Sequence, residues 1–172
     1  MALNNKVSFV WSSTVVWLTI ILSIVILIAY IGLIYGYINT VPFKIITLKS
    51  IIILVVTVIM VYAVSLIPTS LTWSEQGIHI DKVIGNVFIS KSSIKSITVI
   101  TYNQLNNPSR RFGSGGYGGY NGLFWNKELG LFTMYVTNKK SKLLLIQTSD
   151  KKYVISCNSA DDITKLFNTA NR

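Results

Sequence analysis

Val15–Tyr35 reads VVWLTIILSIVILIAYIGLIY, a run without a single charged side chain. As an α-helix it rises about 30 Å, the thickness of a bilayer's hydrocarbon layer. Trp11 and Trp17 stand at its beginning and Tyr35 and Tyr37 at its end, where amphipathic rings settle at membrane–water interfaces. The run exceeds the apolar core of a secretory signal, and no small-x-small cleavage site precedes the polar stretch at Asn39. A second run, Ile51–Ile67 (IIILVVTVIMVYAVSLI), is shorter. It reaches spanning length if Lys49 snorkels and Leu48 or Pro68 extends it. Both runs are longer than ordinary strands, and the rest of the chain could hardly cover two such segments as buried core. Residues 1–70 are therefore expected to form a transmembrane hairpin, with helices over about 13–38 and 48–68 and a tight linker containing Pro42. Neither run holds a carboxylate, histidine or arginine, so the sequence gives no sign of a proton relay or ion path.

Charge is distributed unequally around these runs. Lys6 to Lys44 and Lys49 to Glu75 enclose no charged residue, whereas all six acids and 13 of the 16 bases lie at Glu75 or later. The chain is bipartite, an oily leading part and a basic trailing part. Lys44 and Lys49 draw the linker toward the cytoplasm, and Lys6 with the basic trailing part draws the other way. Keeping both ends in the cytoplasm requires only the linker to cross, so the trailing domain is expected on the cytoplasmic face of the cell membrane. The lone Cys157 suits a reducing compartment.

From Leu71 onward the pattern becomes short strands separated by turns. LTWS (71–74), IHID (78–81), Val87–Ser90, ITVITY (97–102), LGLFTMYVT (129–137), KLLLIQT (142–148) and KYVISC (152–157) give about seven strands. A helix over 160–170 closes the chain, capped by Ser159 with Asp161 and Asp162 in its first turn. Its Ile163, Leu166, Phe167 and Ala170 follow helical spacing and need an apolar surface to cover.

Several stretches resemble a known family. Glu75-Gln76-Gly77-Ile78-His79-Ile80, Ser92–Ile97, Arg111–Gly116, Gly119–Gly122, Leu129–Phe132, Leu143–Thr148 and Tyr153–Ser156 are similar to the bacterial pleckstrin-homology-like domain of many prokaryotic membrane proteins. The resemblance implies an α+β membrane protein. Its hairpin would lead into a PH-like, seven-stranded antiparallel β-sandwich or partly open barrel over 71–172, capped by the C-terminal helix. The superfold hosts many binding functions, so it implies little about ligand. Lipid-binding relatives place bases in the first turn, which here is the acidic Ser74-Glu75-Gln76-Gly77, so the usual phosphoinositide site is not carried over.

The segment Asn103–Lys127 reads as a loop rich in glycine. Arg110, Arg111, Gly113, Gly115 and Gly116 are its candidate ligand-binding residues, because glycines let successive N–H groups converge on an anion. No Gly-Lys-Ser/Thr follows, and its aromatics can equally pack on the sandwich. A four-strand meander would bring Lys82–Asn86 and the start of this loop near the second helix, letting Arg110 and Arg111 approach anionic headgroups. The lysines at 139, 140 and 142, and at 151 and 152, read as solvated turns. Scattered bases without a stripe argue against nucleic acid.

One histidine and one cysteine cannot supply a zinc site or a nucleophile pair. His79 is expected to face outward from its strand, and Cys157 to be a small buried hydrophobe. The sequence points to a non-enzymatic membrane-anchored binding or scaffold module without cofactor or metal. Its partners are expected to be the bilayer and an unidentified protein, the alternative being a sensor of anionic lipid headgroups.

Overall fold

The computed structural model describes residues 5–39 and 43–170. The linker around Pro42, and the side chains of Lys44, Leu166, Phe167 and Ala170, lie outside the described residues.

Helix α1 spans Ser13–Ile38 and helix α2 spans Phe43–Ser65. The side chain of Ser12 caps α1 by accepting from the Val15 N–H. Both helices are apolar around their whole circumference and are nevertheless exposed: Ile28 and Leu54 each keep 63% of their surface open. Such helices need an apolar environment that the chain itself does not provide. They run antiparallel, and the Lys49 ammonium donates to the Gly36 carbonyl at 2.8 Å. Farther along, Tyr30 donates its hydroxyl to the Ile53 carbonyl and also meets the Thr57 hydroxyl.

Among the described residues ten strands form two sheets that do not close into a barrel. The first sheet takes β1 (Asn5–Ser8), β2 (Pro68–Ser74), β3 (Gly77–Lys82) and β4 (Asn86–Ser90), in that order. The second takes β5 (Ile94–Ile100), β6 (Ser109–Gly116), β7 (Gly119–Asn126), β8 (Gly130–Val136), β9 (Leu143–Thr148) and β10 (Lys152–Ser156), ordered β5-β9-β10-β8-β7-β6. All neighbours are antiparallel except β10 and β8.

The main core lies between the sheets, where Leu71, Ile78 and Ile80 meet Ile97, Ile146 and Ile155. Helix α3 (Ala160–Ala170) adds Ala160 and Ile163 to it. A second cluster occupies the other face of the larger sheet and is closed by Leu105, from a single 3-10 turn at Tyr102–Leu105. Burial on both faces explains why Leu143–Ile146 is apolar without alternation. Cys157 is buried, and burial pushes its thiol pKa up. His79 is half-buried, away from the Ile78/Ile80 face, with its ring 4.4 Å from that of Phe88.

The seven expected strands are all present, and three more join them. Strand β1 precedes α1 and pairs with β2, Lys6 opposite Thr72. A strand ahead of a long apolar helix shows too few residues to reveal a pattern. The stretch 103–127, expected to be a loop, is mainly the β6–β7 hairpin. The four-strand meander also stops at β4, since β5 belongs to the other sheet. The 3-10 turn Lys91–Ser93 carries the chain from one sheet to the other.

Candidate site at the helix–sandwich junction

Strands β1 and β2 lead directly into α1 and out of α2, so their pairing fixes both helices to one end of the sandwich. The Ser12 N–H donates to the Thr137 carbonyl at 3.0 Å, and the Thr137 hydroxyl donates to the Val10 carbonyl at 2.9 Å. Val15, on the first turn of α1, is 2% exposed. The junction is packed, and no swinging tether separates helices from sheets.

Three features meet there. The turn between β3 and β4 is held to the exit of α2, where the Val83 N–H donates to the Ile67 carbonyl at 2.9 Å. This matches the expected position of Lys82–Asn86.

The β6–β7 hairpin lies across both helices. Phe112 stands beside Tyr62 of α2, ring centroids 5.2 Å apart. At the tip, the Gly118 N–H donates to the Thr19 hydroxyl at 2.9 Å, and the Ser23 hydroxyl donates to that of Tyr117 at 3.3 Å. Gly118 has φ +63°, and a Cβ there would lie 2.3 Å from Ile67, so both the turn and the close approach demand glycine. The Ser114 hydroxyl donates to the Tyr117 carbonyl, and the Asn121 amide donates to the Gly118 carbonyl. The Asn121 Oδ1 is buried with no partner.

The third feature is a cavity of about 230 Å³ lined by Ser12, Thr14, Val15, Tyr120, Asn138, Lys139 and Lys140. The Lys139 ammonium lies 3.7 Å from the Tyr120 ring centroid and 4.4 Å from that of Tyr102. Partial burial works to lower its pKa, but hydrogen bonding to Tyr102 and Tyr120 outweighs this and raises it above the ordinary lysine value. This ammonium is fixed over two rings beside the start of α1. Its lysine pair reads as a solvated turn because its neighbours, Ser12 and Tyr102, are distant in sequence.

The residues expected to bind a ligand all lie on β6. The Arg110 guanidinium donates to the Gly113 carbonyl at 3.4 Å, and Arg111 stacks over Trp125 at 5.3 Å. Gly113 pairs with Gly122 and Gly115 with Tyr120, and Gly116 touches Leu18 of α1. Successive N–H groups of an extended strand point to opposite sides, so these do not converge on one point. The arginines are exposed next to Phe112, at the edge of the sheet.

A family model described as bacterial PH domain matches residues 69–170, more than half of the chain. The chain belongs to the bacterial PH domain family. The match begins one residue into β2 and takes in the remaining strands and α3, leaving β1, α1 and α2 outside it. No curated protein and no solved structure matches the chain. PH domains are in general binding modules. In this one the β2–β3 turn, Ser74–Gly77, lies at the far end of β2 from the helices, roughly 20 Å along the strand. The junction cavity and the PH fold's first turn are therefore at opposite ends of the sandwich.

Proposed function

We propose that this protein is a membrane-anchored, non-catalytic binding module: α1 and α2 cross the cell membrane as a hairpin, and the PH sandwich sits on its cytoplasmic face, where the junction cavity takes an anionic lipid headgroup. The observation that carries the reading is the convergence of Lys139 and Lys140 with Ser12 and Thr14 in a cavity at the start of a span. A headgroup phosphate at that level meets two ammonium groups and a hydroxyl without leaving the lipid surface. Arg110 and Arg111, exposed beside Phe112, add positive charge near the same surface. Each base close to an anionic leaflet contributes about 1 kcal/mol.

The test uses the full chain in bilayers containing spin-labelled lipids. Motionally restricted phosphatidylglycerol should exceed restricted phosphatidylcholine. The excess should fall as salt rises, and Lys139→Ala with Lys140→Ala should remove most of it. Equal restriction of the two lipids overturns the headgroup reading.

A protein partner is the second reading, and the open edge of β4 favours it. Phe88 there is 46% exposed, its ring tilted against that of His79, on a strand with one side unpaired among the described residues. An added strand from a partner would use those free backbone groups. Phe88→Lys should then weaken a complex kept in mild detergent and leave lipid selectivity unchanged.

A further inference from the structure

We infer that the sandwich is partly sunk in the bilayer: the glycine-rich hairpin β6–β7 and the Val83-Ile84 turn dip into the acyl-chain boundary on either side of the exit of α2. This rests on the reading of α1 and α2 as membrane spans.

Helix length carries the first step. Lys49 and Gly36 stand level with each other, joined by the ammonium–carbonyl bond. That charge sets the polar boundary at the distal end. Ser23 and Tyr62 each lie 13 residues back along their helices from this level, about 20 Å. A hydrocarbon layer of about 30 Å measured from the same level extends past both residues, and tilting the helices changes this little. Yet α2 has already ended at Ser65, before that thickness is filled. Beside the last turns of α2 and just beyond its end stands the hairpin: Phe112 beside Tyr62 and Tyr117 at Ser23, with Gly118 at Thr19 one turn farther on.

Composition carries the second step. From Phe112 to Asn126 no residue is charged, and the segment is bracketed by Arg110-Arg111 and Lys127. That is the pattern of an apolar element flanked by headgroup-level bases. The outward face of the hairpin continues from Phe112, 61% exposed, to Trp125 and then to Leu131, 54% exposed. The β3–β4 turn likewise presents Val83 and Ile84, 49% and 54% exposed, at a position where turns ordinarily carry polar residues.

Backbone satisfaction carries the third. Non-helical backbone survives at membrane depth only where protein groups satisfy it. At the tip the Gly118 N–H and the Tyr117 and Gly118 carbonyls are each bonded by a side chain, those of Thr19, Ser114 and Asn121. The outer edge of β6 starts at headgroup level with Arg110 and Arg111 and runs down to α1, where Gly116 meets Leu18. The apolar tip is anchored to the helix at the depth where water is scarce.

Depth-dependent quenching in the full chain tests this. Cys157→Ala provides a background for single cysteines, bimane-labelled, at Phe112, Ile84, Ile28 and Asp150, in vesicles with acyl-chain spin-labelled lipid. Labels at 112 and 84 should be quenched by the lipid, as at 28, and be several-fold less accessible to aqueous iodide than the label at 150. Two independent reporters guard against one variant failing to fold. If 112 and 84 both behave like 150 while 28 stays lipid-quenched, the sinking is wrong and the spanning reading stands. If 28 is itself open to iodide, the spanning reading falls and this inference with it.

Discussion

The β6–β7 and β9–β10 hairpins belong to one sheet and are built by the same antiparallel pairing, yet their sequences share almost nothing. The second reads LLLIQTSDKKYVIS over 143–156: buried apolar strands and a turn at Ser149–Lys151 that displays charge to water. The first carries glycine at 113, 115, 116, 118, 119 and 122, has no charge beyond Arg111, and turns toward the helices. The difference teaches that a hairpin's sequence reports the medium on either side of it as much as its backbone path. Where packing on α1 and α2 replaces packing on side chains, the strands lose their alternation.

The largest effect is expected where glycine is structural in the first hairpin. Gly113 and Gly122 face each other across the ladder at φ +107° and +121°. A Cβ at Gly122 would stand 2.5 Å from the Phe112 carbonyl oxygen. Gly122→Val should therefore cost about 2–4 kcal/mol, from left-handed backbone strain and an unavoidable backbone shift. Thermal unfolding of the full chain in detergent measures it. A loss below 1 kcal/mol, taken as roughly the lower limit for one strained residue, would show that the hairpin can relax away from this geometry.

The same contrast explains what the sequence made legible. Strands β2–β5 and β8–β10 announce themselves through Ile, Val and Leu runs between polar turns, and the two apolar helices through length alone. The hairpin β6–β7 stayed hidden because glycine disfavours strands in water and is read as a loop. Arg110, Arg111, Gly113, Gly115 and Gly116 were thus visible as a group, but their extended pairing was not. The cavity was hidden for another reason: Ser12, Tyr120 and Lys139 are brought together by the Ser12–Thr137 contact, which no local pattern encodes.

Strand β8 tests how far the two hairpins stand or fall together, because Tyr135 pairs with Asn121 of the first and Ile155 of the second. The residue is 5% exposed, and burial, then Tyr153 and Tyr62, push its phenol pKa up to about 12 from 10.0. The fold therefore holds the neutral phenol. Below pH 10 both folded and unfolded forms are protonated and the contribution is complete. Between pH 10 and 12 the unfolded chain ionises first, so stability should fall by a total of about 2–3 kcal/mol. Unfolding in detergent from pH 9 to 12 should show this slope, and Tyr135→Phe should flatten it. An unchanged slope in the variant would place the alkaline weakness elsewhere, Tyr153 being the next group raised by burial.

The smallest effect is also the sharpest comparison, because each hairpin turn is held by a threonine hydroxyl doing the same job in a different medium. Thr148 accepts from the Lys151 N–H at 2.9 Å and donates to the Lys151 carbonyl at 2.8 Å, on a turn open to water. Thr19 accepts from the Gly118 N–H at 2.9 Å and donates to the Val15 carbonyl at 2.7 Å, against the helix. Replacing either by valine keeps the shape and removes the hydroxyl. At Thr148 water can take over both bonds, so the cost should be no more than about 0.5–1 kcal/mol. At Thr19 the Gly118 N–H is left in an apolar surrounding, where an unsatisfied donor costs about 1–3 kcal/mol. Thermal unfolding of the two variants side by side gives the ratio. Equal losses would mean that water reaches the glycine tip as freely as the charged turn, and the two hairpins would then differ in sequence but not in solvent.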